Sequence, residues 1–348
     1  MATPEATAMI GAAQLNQDTV GLEIASPGDG GFDMNWWPVA LSGEVGPEQI
    51  IDRHFLGGDV VIWRTASGLA QVSTAYCAHL GAHLGEGRVV GETIECAFHN
   101  WCFGQDGNCR YIPAPHDHIP ASAKIFGYPT AEKWGIIWAF NGDVPSYEVP
   151  SPPFVNADSY DILADHAGGS DIAPFYAPIS NIFDLQHFEF VHRFPGAVLS
   201  PDNLPDRPEL DIGPHHMAYR QTMGGGVFGH LKVWGTNGLT ATYIDEETRV
   251  ITEIFVFATA PRPNGTGFDA YQVLFRRKKN DSPEDRAKGR AQLEKAWAAQ
   301  LYVASQDDVV LRRPHFRMRN FTKADRWLKQ FIEYVRDYPR ADPGGSFQ

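Results

Sequence analysis

Two cysteine–histidine pairs, Cys77-Ala-His79 and Cys96-Ala-Phe-His99, constrain this chain more than any other feature, because together they offer a complete ligand set for metal. Two thiolates and two imidazoles suit a [2Fe–2S] centre with both cysteines on one iron and both histidines on the other. The same four groups suit a tetrahedral structural zinc. A zinc finger groups cysteine with cysteine and histidine with histidine. Here each loop carries one of each, which favours the cluster. A tight or aromatic turn follows each pair, His79-Leu-Gly81 and His99-Asn-Trp101.

Composition narrows what surrounds that site. A chain of 348 residues, 43% of them hydrophobic, has the length for about two domains with real cores. Its formal net charge of −13 lacks the basic footprint of a nucleic-acid binder. No apolar run reaches the ~18 residues needed to cross a bilayer. The opening stretch MATPEATAMIGAAQ has neither a basic region nor a sustained apolar core, so no secretory signal is expected there. Cys102 and Cys109 remain after ligand assignment and read as reduced thiols, one of them packed beneath a cluster loop. Low cysteine use together with metal ligation points to a reducing, cytoplasmic setting.

Residues 1–35 are small, Gly-rich and acidic and read as a loosely ordered arm. From Trp36 to about 143, short β-patterned runs alternate with Gly-rich turns, which predicts an all-β domain carrying both ligand loops. A Pro-rich linker, 144–156, separates it from a second domain, 157–348. There, Asn237-Gly238 predicts a two-residue hairpin turn between flanking strands. Ser282-Pro283-Glu284-Asp285 predicts a capped helix running to about Arg312, and Thr322–Asp325 opens another with Trp327, Phe331, Ile332 and Val335 on one face.

A second constellation lies in that domain: Asp184-Leu-Gln-His187-Phe-Glu-Phe-Val-His192. Histidines five residues apart can share one metal if the helix loosens between them, although such a pair also arises without function. The ligand set of a metal held by two such histidines can be completed by a carboxylate. Asp307 and Asp308 are both candidates for the carboxylate. Helical periodicity favours Asp307, whose neighbours one turn away are Val303, Ala304, Val310 and Leu311, since an ionised carboxylate on an apolar face needs a cation. Asp308 has Ser305 and Arg312 nearby and reads as solvated. Phe183, Phe188 and Phe190 are expected mainly in the core.

The stretches CAHLGAHLGEG from Cys77 and CAFHNWCFGQDGNCRYIP from Cys96 closely resemble the cluster loops of the oxygenase components of Rieske non-haem iron oxygenases. The DxxHxxxxH run from Asp184 matches that family's mononuclear iron element, and Gln306-Asp307 its acidic ligand. High-potential Rieske proteins add a loop–loop disulfide, but Ala82 and Phe98 occupy those positions here. They also place a serine after the second histidine, where this chain has Asn100-Trp101, so a low-potential cluster is expected. The resemblance implies an α+β chain: an N-terminal all-β Rieske [2Fe–2S] domain followed by a helix-grip catalytic domain of the START/Bet v 1 type with an antiparallel sheet. It implies a cluster on Cys77, His79, Cys96 and His99, and Fe(II) on His187, His192 and Asp307. It implies a homotrimer in which Asp184 bridges His187 to His99 of the next copy, although Asp184 also suits a helix N-cap. The implied partners are a NAD(P)H-dependent reductase, a ferredoxin in some systems, O₂ and a bulky, largely apolar aromatic or steroid-like substrate. A Rieske-type electron carrier without oxygenase activity is the competing reading.

Overall fold

The computed structural model describes residues 24–26, 28–153, 155–193, 210–224, 226–263, 267–311 and 320–348. Most of the proposed N-terminal arm therefore lies outside the described residues.

The β-patterned first half forms three small antiparallel sheets. Gly58–Arg64 lies between Ile50–Phe55 and Ala70–Thr74, with Gly127–Tyr128 beyond the latter. Ile136–Phe140 pairs with both Thr130–Lys133 and Trp36–Leu41. Such runs of Val, Ile and Trp suit strands covered on both faces, and Val60, Ile62, Trp63, Ile137 and Trp138 are all buried. The third sheet, from Arg88–Val90 to Cys109–Tyr111, holds the second cysteine–histidine loop between Thr93–Glu95 and Cys102–Phe103.

The second half is built on seven antiparallel strands. Their order begins Tyr160–Ser170, Phe268–Arg277, Ile251–Pro261, Gly238–Asp245 and continues through Val227–Trp234 and His216–Gly224 to Asp211–Gly213. After the first strand this is a meander, so every later neighbour is local in sequence. The helix Pro283–Leu311 packs against Tyr160–Ser170 and Phe268–Arg277. The helix Arg326–Arg336 inserts Trp327, Phe331, Ile332 and Val335 into the core shared with Phe183 and Leu185.

Two local expectations are corrected by tertiary contacts. The hairpin turn is a three-residue loop, Gly235–Asn237, because Trp234 pairs with Gly238 and Gly235 takes φ +56°. Asn237 is drawn out of a tight turn by burial: its side-chain amide donates to the carbonyls of Trp36 and Thr259, joining the two domains. At the long helix, the Ser282 hydroxyl does accept from the Asp285 amide, but the reciprocal half of the capping box is missing. Asp285 instead accepts from the Arg276 guanidinium and from the amides of Lys279 and Asn280.

The domains meet over apolar side chains, among them Trp37 against Phe175 and Trp134 against Phe275, with a buried polar cluster set into that contact. The Pro-rich linker, stiff by composition, is also strapped down: Trp36 Nε1 donates to the Tyr147 carbonyl and Trp134 Nε1 to that of Pro150. Phe32–Asp33 pairs with Arg340–Ala341, so the last residues of the proposed arm are ordered. Asp33 is 2% exposed, accepts from Thr236 Oγ1 at 2.6 Å and faces Arg340 Nε at 3.1 Å. Burial outweighs both partners and raises its carboxyl to about 6 from the ordinary 3.8.

That shift has a definite sign. The native state binds a proton more tightly than the unfolded chain, so the Asp33 contribution is full below pH 4 and fades as pH rises through about 6. Between these limits wild type should lose on the order of 3 kcal/mol relative to Asp33→Asn. Thermal unfolding of both proteins from pH 4 to 7.5 checks this; a constant difference, or one growing with pH, contradicts it.

Candidate metal centres and substrate cavity

The two cluster loops share one hydrogen-bonded frame. The carbonyls of Cys77 and Cys96 each accept from the amide four residues on, Gly81 and Asn100, at 2.9 and 3.0 Å. Their own amides each donate to the carbonyl five residues on, Ala82 and Trp101, both at 2.9 Å. Closing that frame requires a left-handed residue at the fourth position, and Gly81 and Asn100 take φ +74° and +57°. Glycine does so freely and asparagine tolerably.

This frame buries Cys77 and Cys96 and leaves His79 and His99 exposed. The His79 and His99 rings lie 4.8 Å apart, with His79 stacked on Trp101. Burial and then the adjacent Cys96 sulfur push the Cys77 thiol up to about 11, so thiolates here need a cation. A tetrahedral zinc would draw all four ligand atoms around one point. Among the described residues, only His187, His192 and Asp307 gather three ligand atoms within 4.8 Å of one another. A sulfur pair inside and an imidazole pair outside fit a two-iron cluster better than one zinc. All four cysteines are free, and Cys102 and Cys109 are buried on neighbouring strands of the cluster sheet, where Cys102 pairs with Tyr111 and Cys109 with Phe103.

The second centre begins with a helix start. Asp184 Oδ1 accepts from the amides of Gln186 and His187, capping the helix Leu185–Phe190. The helix then widens: the His192 amide bonds the His187 carbonyl, a five-residue spacing that turns His192 back beneath His187. Their Nε2 atoms lie 2.9 Å apart. The long helix brings Asp307 Oδ1 to 3.6 Å from His187 Nε2 and 3.5 Å from His192 Nε2. The Asp308 side chain lies outside the described residues.

Hydrogen bonding fixes what these nitrogens can do. His187 Nδ1 faces the Asp184 carbonyl at 2.9 Å, and a carbonyl only accepts, so Nδ1 carries the proton. His192 Nδ1 lies 2.8 Å from Gln306 Oε1 and donates likewise. Both Nε2 atoms then present lone pairs to each other and to a carboxylate. Three electron-rich atoms so placed are repulsive until a cation joins them. The donor set, two neutral imidazoles and one carboxylate, fits a divalent iron with positions left open. The resemblance implied a side-chain bond from His187 to the Asp184 carboxylate; the imidazole meets the backbone carbonyl because the carboxylate is turned to the helix amides. Asp184 Oδ2 has no hydrogen-bond donor among the described residues. Gln306 as the partner of His192, and Trp101 as the platform for His79, were not legible as roles in the sequence.

The triad opens into a cavity of about 680 Å³ between the sheet and the long helix. Its walls are mostly apolar, with Phe188, Leu239, Phe255, Phe257 and Leu301 among them. The three phenylalanines of the iron motif part company: Phe183 is core, Phe188 lines the cavity and Phe190 is exposed. Three further histidines have local work. His83 accepts from the Gly85 amide, His215 meets the Tyr338 hydroxyl and His216 pairs with Asp211.

Comparison with known proteins agrees with this construction. Residues 35–143 match the Rieske [2Fe–2S] domain family. Aminopyrrolnitrin oxygenase PrnD of Pseudomonas fluorescens is 29% identical over 166 residues, 46% of each chain. Cholesterol 7-desaturase of Xenopus laevis is 34% identical over 49% of this chain and 38% of its own. The chain thus spans less than half the length of these relatives in the matched region. Among solved structures, the Pseudomonas putida CBB5 NdmA QL mutant with caffeine superposes with TM-score 0.66 at 19% identity, over 87% of this chain and 90% of that one. Dicamba monooxygenase bound to dicamba gives 0.62 at 20% identity, over 88% and 98%. Residues 35–143 therefore form a Rieske [2Fe–2S] domain, and the chain as a whole shares the fold of NdmA and dicamba monooxygenase. No helix among the described residues is long and apolar enough to cross a membrane.

The shared loop frame yields a test. Asn100→Gly should retain the cluster, whereas Asn100→Val and Gly81→Val should cost about 1–2 kcal/mol locally and shed iron sooner on heating. Visible absorption and iron content during a thermal ramp check it; equal retention in all three variants contradicts the requirement for a left-handed residue.

Proposed function

We propose that this chain is the terminal oxygenase component of a multicomponent Rieske system in the cytoplasm. It takes electrons from a NAD(P)H-dependent reductase, directly or through a ferredoxin, and oxidises a bulky, largely apolar aromatic or steroid-like substrate with O₂. The reaction class is oxygen insertion: hydroxylation, cis-dihydroxylation or oxidative demethylation. The observation that carries this reading is the triad of His187, His192 and Asp307 opening into an apolar cavity. A simple electron carrier needs neither feature.

In this reading Cys77 and Cys96 hold one iron of the cluster, His79 and His99 the other, and the triad holds Fe(II). When bound, these groups supply single electrons and O₂ activation. The protein does the rest. The Asp184 carbonyl and Gln306 hold both triad imidazoles in the tautomer that leaves Nε2 open. The apolar walls exclude water and orient the substrate. Asp184 Oδ2 is available for an imidazole N–H from His99 of a neighbouring copy, as a head-to-tail homotrimer would provide. Exposed Leu80 and Phe98 beside the cluster histidines support docking of that edge against another surface.

Iron analysis separates oxygenase from carrier: about three atoms per chain against about two. Asp307→Ala should fall to about two, keep the reduced-cluster EPR signal and lose substrate-dependent O₂ uptake. If Asp307→Ala retains full activity and Asp308→Ala loses it, the ligand assignment is wrong. Asp184→Asn should keep all its iron and a reducible cluster, yet turn over at least tenfold more slowly. Near-normal turnover of that variant would remove Asp184 from the electron route.

A further inference from the structure

The cavity wall is mostly apolar, with Asn181, Thr252 and Ser305 as scattered polar residues besides the triad, and one hydrogen-bonded polar corner is contributed by the sheet and the long helix. Glu253 stands on the strand Ile251–Pro261 and Gln272 on Phe268–Arg277, while Gln300 comes from the helix. All three line the cavity, as does Tyr243, which pairs across the sheet with Glu253. The hydrogen bonds run in one direction: Gln272 Nε2 points to Gln300 Oε1 at 3.5 Å, and Gln300 Nε2 donates to Glu253 Oε1 at 2.6 Å. The chain of donors therefore ends on an acceptor. Glu253 receives one donor there, although a carboxylate can accept about four. The Tyr243 hydroxyl has no hydrogen-bond partner among the described residues.

A half-satisfied carboxylate in an apolar wall is costly and calls for another donor. Burial pushes the Glu253 carboxyl up and Gln300 pulls it back only in part. A ligand hydroxyl would complete that offset. Its distance from the reacting end follows from the helix. Gln300, Val303, Ala304 and Asp307 all line the cavity at the spacing of a single helical face. Seven residues separate Gln300 from Asp307, a rise of about 10 Å.

We propose that Glu253, held by Gln300 and Gln272, is the substrate-positioning acceptor of this cavity, and that the substrate is a polycyclic, largely apolar alcohol whose hydroxyl sits about 10 Å from the carbon presented to the triad. The inference rests on the oxygenase reading for which carbon reacts, but its binding consequence does not. A rigid fused-ring skeleton of four rings spans that length. A planar acid or a small polar amine would leave Glu253 either opposed by like charge or out of reach.

The test is equilibrium binding to the iron-loaded protein, measured by calorimetry without reductant. Three probes differ at one position: 3β-hydroxy-5α-androstan-17-one, 5α-androstan-17-one, and 5α-androstane-3,17-dione. Wild type should bind the alcohol roughly ten- to hundredfold more tightly than the deoxy compound. Glu253→Leu should collapse that ratio towards one while still binding the deoxy compound. Glu253→Gln, which keeps the shape and gains a donor, should shift preference from the alcohol towards the dione. Visible circular dichroism of the cluster confirms that each variant is folded. An unchanged ratio in Glu253→Leu, a wild-type preference for the dione, or no binding of any probe overturns the proposal. Loss of O₂ uptake with the binding ratio intact would instead count against the oxygenase reading and leave Glu253 as the anchor.

Discussion

Two imidazole lone pairs facing each other at 2.9 Å are the constraint around which the catalytic half is arranged. With each Nδ1 turned to an acceptor, the rings have Nε2 lone pairs to offer at this point, and a metal ion is what joins them. Holding the rings there requires work from several elements at once. The Asp184 cap fixes where the short helix begins, and the widened turn after Phe190 returns His192 to the same side. Gln306 and Asp307, adjacent on the long helix, then address two different jobs, one holding an imidazole from behind and the other completing the ligand set. Gln186 ties the short helix to Asp325 at the start of the C-terminal helix. Metal affinity is thereby distributed over three helices that are far apart in sequence.

The same economy of contacts governs the join between domains. Asn35, Asp33, Thr236 and Asn237 form a buried polar cluster in which each side chain meets a partner from the opposite half of the chain or from its end. Buried polar groups of this kind are expensive unless satisfied, so they specify one mutual placement of the domains rather than merely attaching them. The apolar packing around them, such as Trp37 on Phe175, adds area but little direction. The buried polar groups fix how the exposed cluster histidines of the first domain are presented relative to the cavity of the second.

Much of this was legible because the chemistry is local in sequence. The cluster ligands fall within twenty-three residues, Cys77 to His99, and two of the triad ligands within six, His187 to His192. Strands such as Gly58–Arg64 and Ile136–Phe140 announce themselves by β-branched and aromatic runs. Asp307 was distinguishable from Asp308 through its apolar neighbours one helical turn away and through the family resemblance at Gln306-Asp307. What sequence periodicity does not carry is partnership at a distance. Asn237 reads as a turn residue until Trp36 and Thr259 are seen to need its amide. Asp285 reads as a capping-box acid until Arg276 claims it. Gln306 and Glu253 are ordinary polar residues by any local pattern, and only the fold shows what faces them.

The pairing of Phe32–Asp33 with Arg340–Ala341 bears on how the molecule is made. Asp33 and Arg340 are 307 positions apart, so closing that contact carries a large loop entropy and must follow the local meander of the second sheet. That pairing is a two-stranded sheet of its own, so it adds no strand to the three sheets of the cluster domain. The sulfur loops of that domain, whose frame is wholly local, need no such closure. By loop-closure entropy the local loop frames are the least costly contacts to close and the latch between Phe32–Asp33 and Arg340–Ala341 the most costly.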